Sequence, residues 1–411
     1  MPSYLSSRKA VGTFAVMLAA SLAVLVFESS SVLAWTTTTT TKTATTTFKT
    51  NGNPQTQTRL FNVPPPSSND PVAYKDYASK QSPPSSFFEL QQDCLASVQQ
   101  ALKDNVPLME VEFPPLPASV LELDDVSAYD VAQANLELAT TFAKGLVSSG
   151  SRKSVAILLP DESEYRIAME TLKGKTATAT SSETTSAWKP VEQIEPGVCV
   201  SSLRRSEEGD DRFIKPEQTF LNLFGMGGNN NDGAVKPING TDMYVCIVAS
   251  AQELPDIEAL HNAVPNVPIV LYNLKLDVLR GDLGAPAFPP KAFQDRFLSR
   301  VKPVYYLRTR QYSRSTPTPP FLVNYQGCLF RAYPGQYQTL LDTGTGSYRR
   351  LLGRDVRPAL GEFKEQLTQA LRDEGVLPKT EGSALDFLRV GYKQTTWWEE
   401  DREDASEEWK T

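Results

Sequence analysis

Three short, unbroken apolar runs, Val155-Ala156-Ile157-Leu158-Leu159, Tyr244 to Val248 and Ile269 to Leu271, restrict this chain more than anything else in it. A strand with one wet face alternates, whereas a strand buried on both faces reads as a continuous apolar run, and such strands belong to parallel sheets covered by helices. Helical spacing follows two of the runs, from Ser163 to Leu172 and from Pro255 to Ala263. Alternating strand and helix predicts a parallel α/β core.

The pattern extends upstream. Phe87, Leu90, Cys94, Leu95, Val98, Ala101 and Leu102 recur at helical spacing, and a second helix is marked by Val131, Leu136, Phe142 and Leu146, ending near Gly150. Between them Met109, Val111 and Phe113 alternate with Glu110 and Glu112, which predicts a half-buried strand closed by Pro114-Pro115. After an amphipathic helix at Lys291 to Arg300, the runs shorten and alternate at Val304 to Leu307, Cys328 to Tyr333, Tyr337 to Leu341 and Tyr348 to Leu352. Short connections there imply an antiparallel meander. A final helix spans Pro358 to Arg372. The fold class is α/β: a mixed sheet with a parallel, helix-covered core and an antiparallel C-terminal meander.

The expected layout is a signal peptide over 1–34, a transit peptide over 35–60, a flexible leader over 61–86, one α/β domain over 87–375 and a tail over 376–411. Arg8 and Lys9 precede an uncharged apolar stretch from Ala10 to Phe27, and Val32-Leu33-Ala34 puts small or apolar residues at the minus-three and minus-one positions of a cut after Ala34. That stretch is also long enough to anchor in a membrane, but Glu28 and the serines after it favour cleavage. From Trp35 the composition turns to threonine, with Lys42, Lys49 and Arg59 as the only charges, as in a transit peptide. A Thr-rich secreted stalk is the other reading. Within the domain, the polar stretch 176–240 reads as a surface insertion. The tail carries Trp397, Trp398, Trp409 and the acidic run Glu399 to Glu408, so it either docks or stays disordered.

Charge excludes one class of partner. Removing residues 1–60 takes five basic residues and one acidic from totals of 41 and 48, leaving 36 against 47 and a net charge near −11. No basic stripe offsets that balance, so nucleic acid is not an expected partner. After cleavage no membrane-spanning stretch remains, and the sequence leaves the oligomeric state open. Cys94, Cys199, Cys246 and Cys328 lie too far apart for a disulfide framework or a Cys-only zinc site.

Catalytic signatures fail one after another. Leu341-Asp342-Thr343-Gly344 looks like an aspartic-protease motif, but the mechanism needs two carboxylates sharing a proton, and a turn between strands explains it. The run Gly225 to Gly233 lacks the Gly-Lys-Ser/Thr that a phosphate loop requires. His261 is the only histidine and reads as exposed or capping. No catalytic residue, metal ligand or cofactor is assigned.

Open α/β sheets bind ligands beyond the carboxyl ends of their strands. Three buried strands end in Pro160-Asp161-Glu162, Ala249-Ser250-Ala251-Gln252 and Tyr272-Asn273-Leu274. If they are parallel, Asp161, Glu162, Ser250, Gln252 and Asn273 share one rim and form the candidate ligand-binding set. Asp161 could equally cap a helix, and Asn273 could hold a turn.

Four pieces of the chain carry a family resemblance: Leu159-Pro160-Asp161, Tyr272-Asn273-Leu274, Pro303-Val304-Tyr305-Tyr306-Leu307, and Gly327-Cys328-Leu329-Phe330-Arg331-Ala332-Tyr333-Pro334-Gly335. In this order, from Phe87 to about Arg372, the chain resembles a plant, algal and cyanobacterial family built on one domain of unknown function, which includes the low photosystem II accumulation assembly factor. The junction Leu33-Ala34-Trp35 likewise resembles the bipartite presequence of algae with secondary plastids. The resemblance implies a soluble plastid protein, in stroma or peripheral on thylakoids. It implies a non-catalytic role in assembling or maintaining photosystem complexes, with a thylakoid or photosystem protein as partner. The chain departs from the family at Lys275, where a proline is common, and at Gln336-Tyr337, where a tryptophan is common. The alternative is a small-molecule-binding protein or enzyme that uses the strand-end rim.

Overall fold

A computed structural model describes residues 83–117, 120, 126–176, 189–205, 234–280, 289–316, 319–378, 399, 403 and 405–411. The expected signal and transit peptides, most of the leader, the glycine-rich 225–233 stretch and Trp397-Trp398 lie outside them. Among the described residues seven α-helices pack on a sheet of ten strands, with a two-stranded ribbon beside it.

In chain order the elements are α1 (Phe87–Lys103), β1 (Leu108–Glu112), α2 (Ala128–Ser148), β2 (Val155–Leu159) and α3 (Glu162–Thr176). The hairpin β3 (Val191–Glu195) and β4 (Val198–Ser202) follows, then the ribbon β5 (Arg204–Arg205) and β6 (Ala234–Val235). Next come β7 (Met243–Cys246), α4 (Leu254–Ala263), β8 (Ile269–Tyr272), α5 (Leu276–Leu279) and α6 (Lys291–Arg296). The meander is β9 (Lys302–Ser315), β10 (Leu322–Ala332), β11 (Tyr337–Asp342) and β12 (Tyr348–Arg354), closed by α7 (Leu360–Asp373).

The sheet order is β12-β11-β10-β9-β1-β8-β7-β2-β4-β3. The pairs β9/β1, β1/β8, β8/β7, β7/β2 and β2/β4 are parallel. The meander and β3 add antiparallel edges. This is the mixed α/β sheet the apolar runs predict.

Period-two alternation divides the core between two faces. Val155, Ile157 and Leu159 pack with Leu90, Leu136 and Tyr165 of α1, α2 and α3. Ala156 and Leu158 pack with Ile257, Leu276 and Phe293 of α4, α5 and α6. Helix α7 covers the meander through Phe363, Leu367 and Leu371, with Tyr306, Tyr325 and Tyr337 beneath. Gly327 permits that approach: a Cβ there would lie 2.6 Å from the Leu367 side chain and 2.6 Å from the Leu340 carbonyl oxygen.

Three expectations change. Strand β1 is buried along its whole length, not half-buried, because Glu110 and Glu112 are held inside by partners from distant segments. The stretch 176–240 supplies β3 and β4, and Val198 and Val200 are buried in the α1–α3 core, so it is not a surface insertion throughout. The meander strands β9 and β10 run to 14 and 11 residues, longer than the short apolar runs implied. Their polar continuations pair with each other over Arg308–Ser315 and Leu322–Leu329, so backbone hydrogen bonding extends them beyond the apolar pattern.

Candidate functional site

Strands β2, β7 and β8 are adjacent and parallel, so the loops that leave their carboxyl ends do lie along one edge of the sheet. The side chains expected to act there are largely engaged with their own chain. Asp161 Oδ1 accepts the Glu164 N–H at 2.9 Å, which caps α3, and Glu162 pairs with Arg166 at 2.7 Å one turn on. Ser250 donates from both its backbone N–H and its hydroxyl to Glu253 Oε2, at 2.8 and 2.6 Å. It also receives the Gln252 N–H at 3.3 Å, while Gln252 itself is exposed.

Asn273 differs from the other four. It is buried, adopts a left-handed backbone (φ 53°), accepts the Phe113 N–H at 2.9 Å and donates to Asn135 Oδ1 at 2.9 Å. It therefore ties β8 to the end of β1 and to α2. Lys275 (φ 54°) and Val248 (φ 60°) share that conformation, and for a β-branched residue such as Val248 it is a genuine strain. Strain of this kind costs about 1–3 kcal/mol per residue and concentrates at functional edges.

A second constellation lies beside that rim, on the face of α5 and α7, and the sequence reading did not single it out. Asp277, in the first turn of α5, is buried and surrounded by guanidinium groups. Arg357 Nη2 lies 2.5 Å from Asp277 Oδ2, Arg310 3.3 Å and Arg308 3.5 Å, while Arg280 Nη1 is 3.3 Å from Oδ1. The Tyr306 hydroxyl donates to Oδ2 at 2.5 Å. Burial alone would raise the Asp277 pKa, but Arg357, Arg308, Arg310 and Arg280 overcome it and hold the carboxyl well below the ordinary range.

Two glutamates of β1 complete the set. Glu110 receives both Nη atoms of Arg280 at 3.3 Å, and burial pushes its pKa up against that pairing. Glu112 accepts the Lys275 N–H at 3.0 Å. Burial pushes Glu112 up to about 7, with Arg308 acting the other way and Glu110 adding to the rise. A carboxyl poised near neutrality at a strand end can exchange a proton under physiological conditions.

The meander adds a fifth arginine. Arg331 of β10 stands opposite Tyr306 of β9, and the register of β10 with β11 sets it beside Tyr337. Directly opposed residues share a face. Arg331 Cζ lies 4.6 Å from the Tyr337 ring centroid and 5.7 Å from that of Tyr333. The residue is 4% exposed, and its Nε and Nη1 have no hydrogen-bond partner.

Of the tail, the described segment 405–411 docks here. Trp409 and Lys410 are buried in a short 3-10 turn, Glu408–Lys410, and the Arg357 N–H donates to the Lys410 carbonyl at 2.8 Å. The Trp409 ring centroid lies 5.3 Å from Arg280 Cζ and 5.8 Å from Arg357 Cζ, as cation–π pairs. Glu399 reaches the start of α7, accepting the Leu360 N–H at 2.7 Å.

The remaining motifs resolve as structure. Asp342-Thr343-Gly344 forms the turn from β11 to β12, with Asp342 Oδ1 accepting the Gly344 N–H at 2.7 Å. His261 is buried in the last turn of α4, not exposed, and burial lowers its pKa, with Arg300 adding to the effect. The four cysteines are free thiols, and Cys94, Cys246 and Cys328 are buried. Among the described residues no group of three His, Cys, Asp or Glu is placed to hold a metal, and no helix is long and apolar enough to cross a membrane.

One signal in the sequence pointed to the arginine cluster. Arg308-Thr309-Arg310 places two guanidiniums on one face of a strand, directly after the Pro303–Leu307 segment of the resemblance. Their carboxylate partner, however, lies some thirty residues upstream, and nothing local marks it.

Comparison with known proteins gives one match: the family described as "Domain of unknown function (DUF1995)", over residues 84–365. No curated protein and no solved structure matches this chain.

Proposed function

We propose, on the premise that the chain belongs to the family of the domain of unknown function DUF1995, that it acts by binding and not by catalysis. The role is that of a plastid accessory factor in the assembly or maintenance of photosystem or other thylakoid complexes. One observation carries the reading. The four resembling segments occur in order inside the family match, at the ends of β2 and β8, in β9, and in β10 with its following turn. The presequence-like residues 1–60 support import into a plastid, with the protein working in the stroma or peripherally on thylakoids. The test is a quantitative pull-down of the chain without residues 1–60 from solubilised plastids. Enrichment of thylakoid or photosystem proteins over a control is the expected result. Recovery of none sinks the reading.

A second reading, a small-molecule-binding protein or enzyme using the strand carboxyl edge, is favoured by a separate observation. Val248, Asn273 and Lys275 hold strained backbone at two adjacent strand ends, next to four guanidiniums that share one carboxylate. A thermal-shift screen against nucleotides, sugar phosphates and pigment precursors tests it. A ligand-dependent rise in Tm that Asp161→Ala or Ser250→Ala abolishes supports the rim, and no rise with any of them removes it.

A further inference from the structure

The donors that the chain leaves unused inside the cluster belong to residues on neighbouring strands and to the Arg357 that stacks on one of them. Tyr306, Arg331 and Tyr337 form a row across β9, β10 and β11 on the face that α7 covers. Arg331 stacks 4.6 Å from the Tyr337 centroid, and Arg357 stacks 4.5 Å from the centroid of the neighbouring Tyr306. At this junction Arg331 Nε, Arg331 Nη1, Arg357 Nη1 and the Tyr337 hydroxyl are all buried and without a hydrogen-bond partner.

Charge points the same way. Asp277 serves Arg280, Arg308, Arg310 and Arg357, and no carboxylate among the described residues lies within ion-pair distance of Arg331. Buried polar groups are otherwise almost always satisfied. Buried, unpartnered guanidinium donors on neighbouring residues match an oxyanion, which guanidinium groups bind through paired N–H donors. The walls are aromatic: Tyr306, Tyr337 and Trp409.

We propose that Arg331, Arg357 and Tyr337, roofed by Trp409, form a binding site for a compact inorganic oxyanion of the phosphate type. Arg331 supplies the charge that no carboxylate neutralises, Arg357 shares its second Nη with Asp277, and the Tyr337 phenol donates the third contact. The Trp409 ring of Glu408–Lys410 stacks on Arg357, so in this proposal the segment restricts entry, and a phosphate monoester is expected to bind only once the segment is removed. The site is distinct from the strand-end rim and independent of the accessory-factor role. A failed pull-down therefore leaves it standing, and its own failure leaves that role standing.

The experiment is a calorimetric titration of inorganic phosphate into the full chain in a low-salt, phosphate- and sulfate-free buffer, with glycerol phosphate as the monoester. The expected result is saturable phosphate binding that weakens at least tenfold in Arg331→Met and several-fold in Tyr337→Phe, which keeps the ring and loses only the hydroxyl. Deleting residues 405–411 is expected to raise glycerol phosphate affinity at least tenfold. Absence of phosphate binding in the parent overturns the site. So does unchanged affinity in a folded Tyr337→Phe. Equal binding of the monoester with the segment in place overturns its role as a roof.

Discussion

The strand-end rim and the arginine cluster lie side by side on one sheet and solve opposite problems. At the rim, Asp161, Ser250 and Asn273 meet backbone N–H groups or side chains of their own chain, so each polar group has a partner within the fold. In the cluster the chain withdraws Arg280, Arg331 and Arg357 from water, with Arg308 and Arg310 half-buried at its edge, and buried atoms of Arg280, Arg331 and Arg357 remain without hydrogen bonds. Polar character at a strand end therefore does not distinguish a capped helix start from a site. Surplus buried donors do.

The comparison breaks hardest at Asp277. Removing it leaves four guanidiniums facing one another, and loss of one partner from a buried ionic set costs about 3–5 kcal/mol. Asp277→Ala is expected to lower the unfolding free energy measured in urea by that amount, whereas Asp161→Ala at the rim removes only a helix cap, about 0.5–2 kcal/mol. Equal losses at the two positions would erase the distinction.

Next comes the roof. Trp409→Ala gives up the burial of a large aromatic ring, about 1.5–3 kcal/mol, and releases the segment 405–411 to protease before the domain unfolds. Limited proteolysis followed by mass spectrometry checks this. The domain and tail unfolding as one unit would contradict it.

Asn273→Ala sharpens the rim side. It leaves the Phe113 N–H and the Asn135 side chain short of a partner, at about 1–3 kcal/mol for each group left unsatisfied. This is the one rim residue whose loss is expected to exceed a simple cap.

The smallest effect is in pH. Glu112 binds its proton more tightly folded than unfolded, since its folded pKa is raised to about 7. Stability contributed by this group is full below the unfolded carboxylate range and lost as pH rises toward 7. Asp277, held low, acts in the opposite sense, and its contribution is lost only in acid. Glu112→Gln is expected to flatten the stability profile between about pH 4.5 and 7, as followed by urea midpoints across that window.

The parallel core was legible because burial on both faces leaves a continuous apolar run, and Val155–Leu159 and Ile269–Tyr272 are that signal. Strand β4 escaped because Cys199, Ser201 and Ser202 dilute it. β1 was placed but misjudged: alternating glutamates imply a wet face unless a distant arginine, here Arg280, closes over them. The rim's shared edge could be inferred from the strands, yet its helix-capping bonds depended on local geometry that periodicity does not encode. The arginine cluster, beyond the Arg308-Thr309-Arg310 signal, was illegible for a different reason. It joins Glu110, Asp277, Arg308, Arg331, Arg357 and Trp409, which only the β9/β1/β8 adjacency and the docked tail bring together.

The most direct test sets Arg331→Met beside Asp277→Ala in urea unfolding, in a buffer without phosphate or sulfate. Replacing a surplus buried charge by an apolar side chain of similar length is neutral or stabilising, so Arg331→Met is expected to hold or raise the midpoint while Asp277→Ala lowers it. A fall in Arg331→Met as large as that in Asp277→Ala would show that Arg331 is a compensated structural charge and would contradict the account.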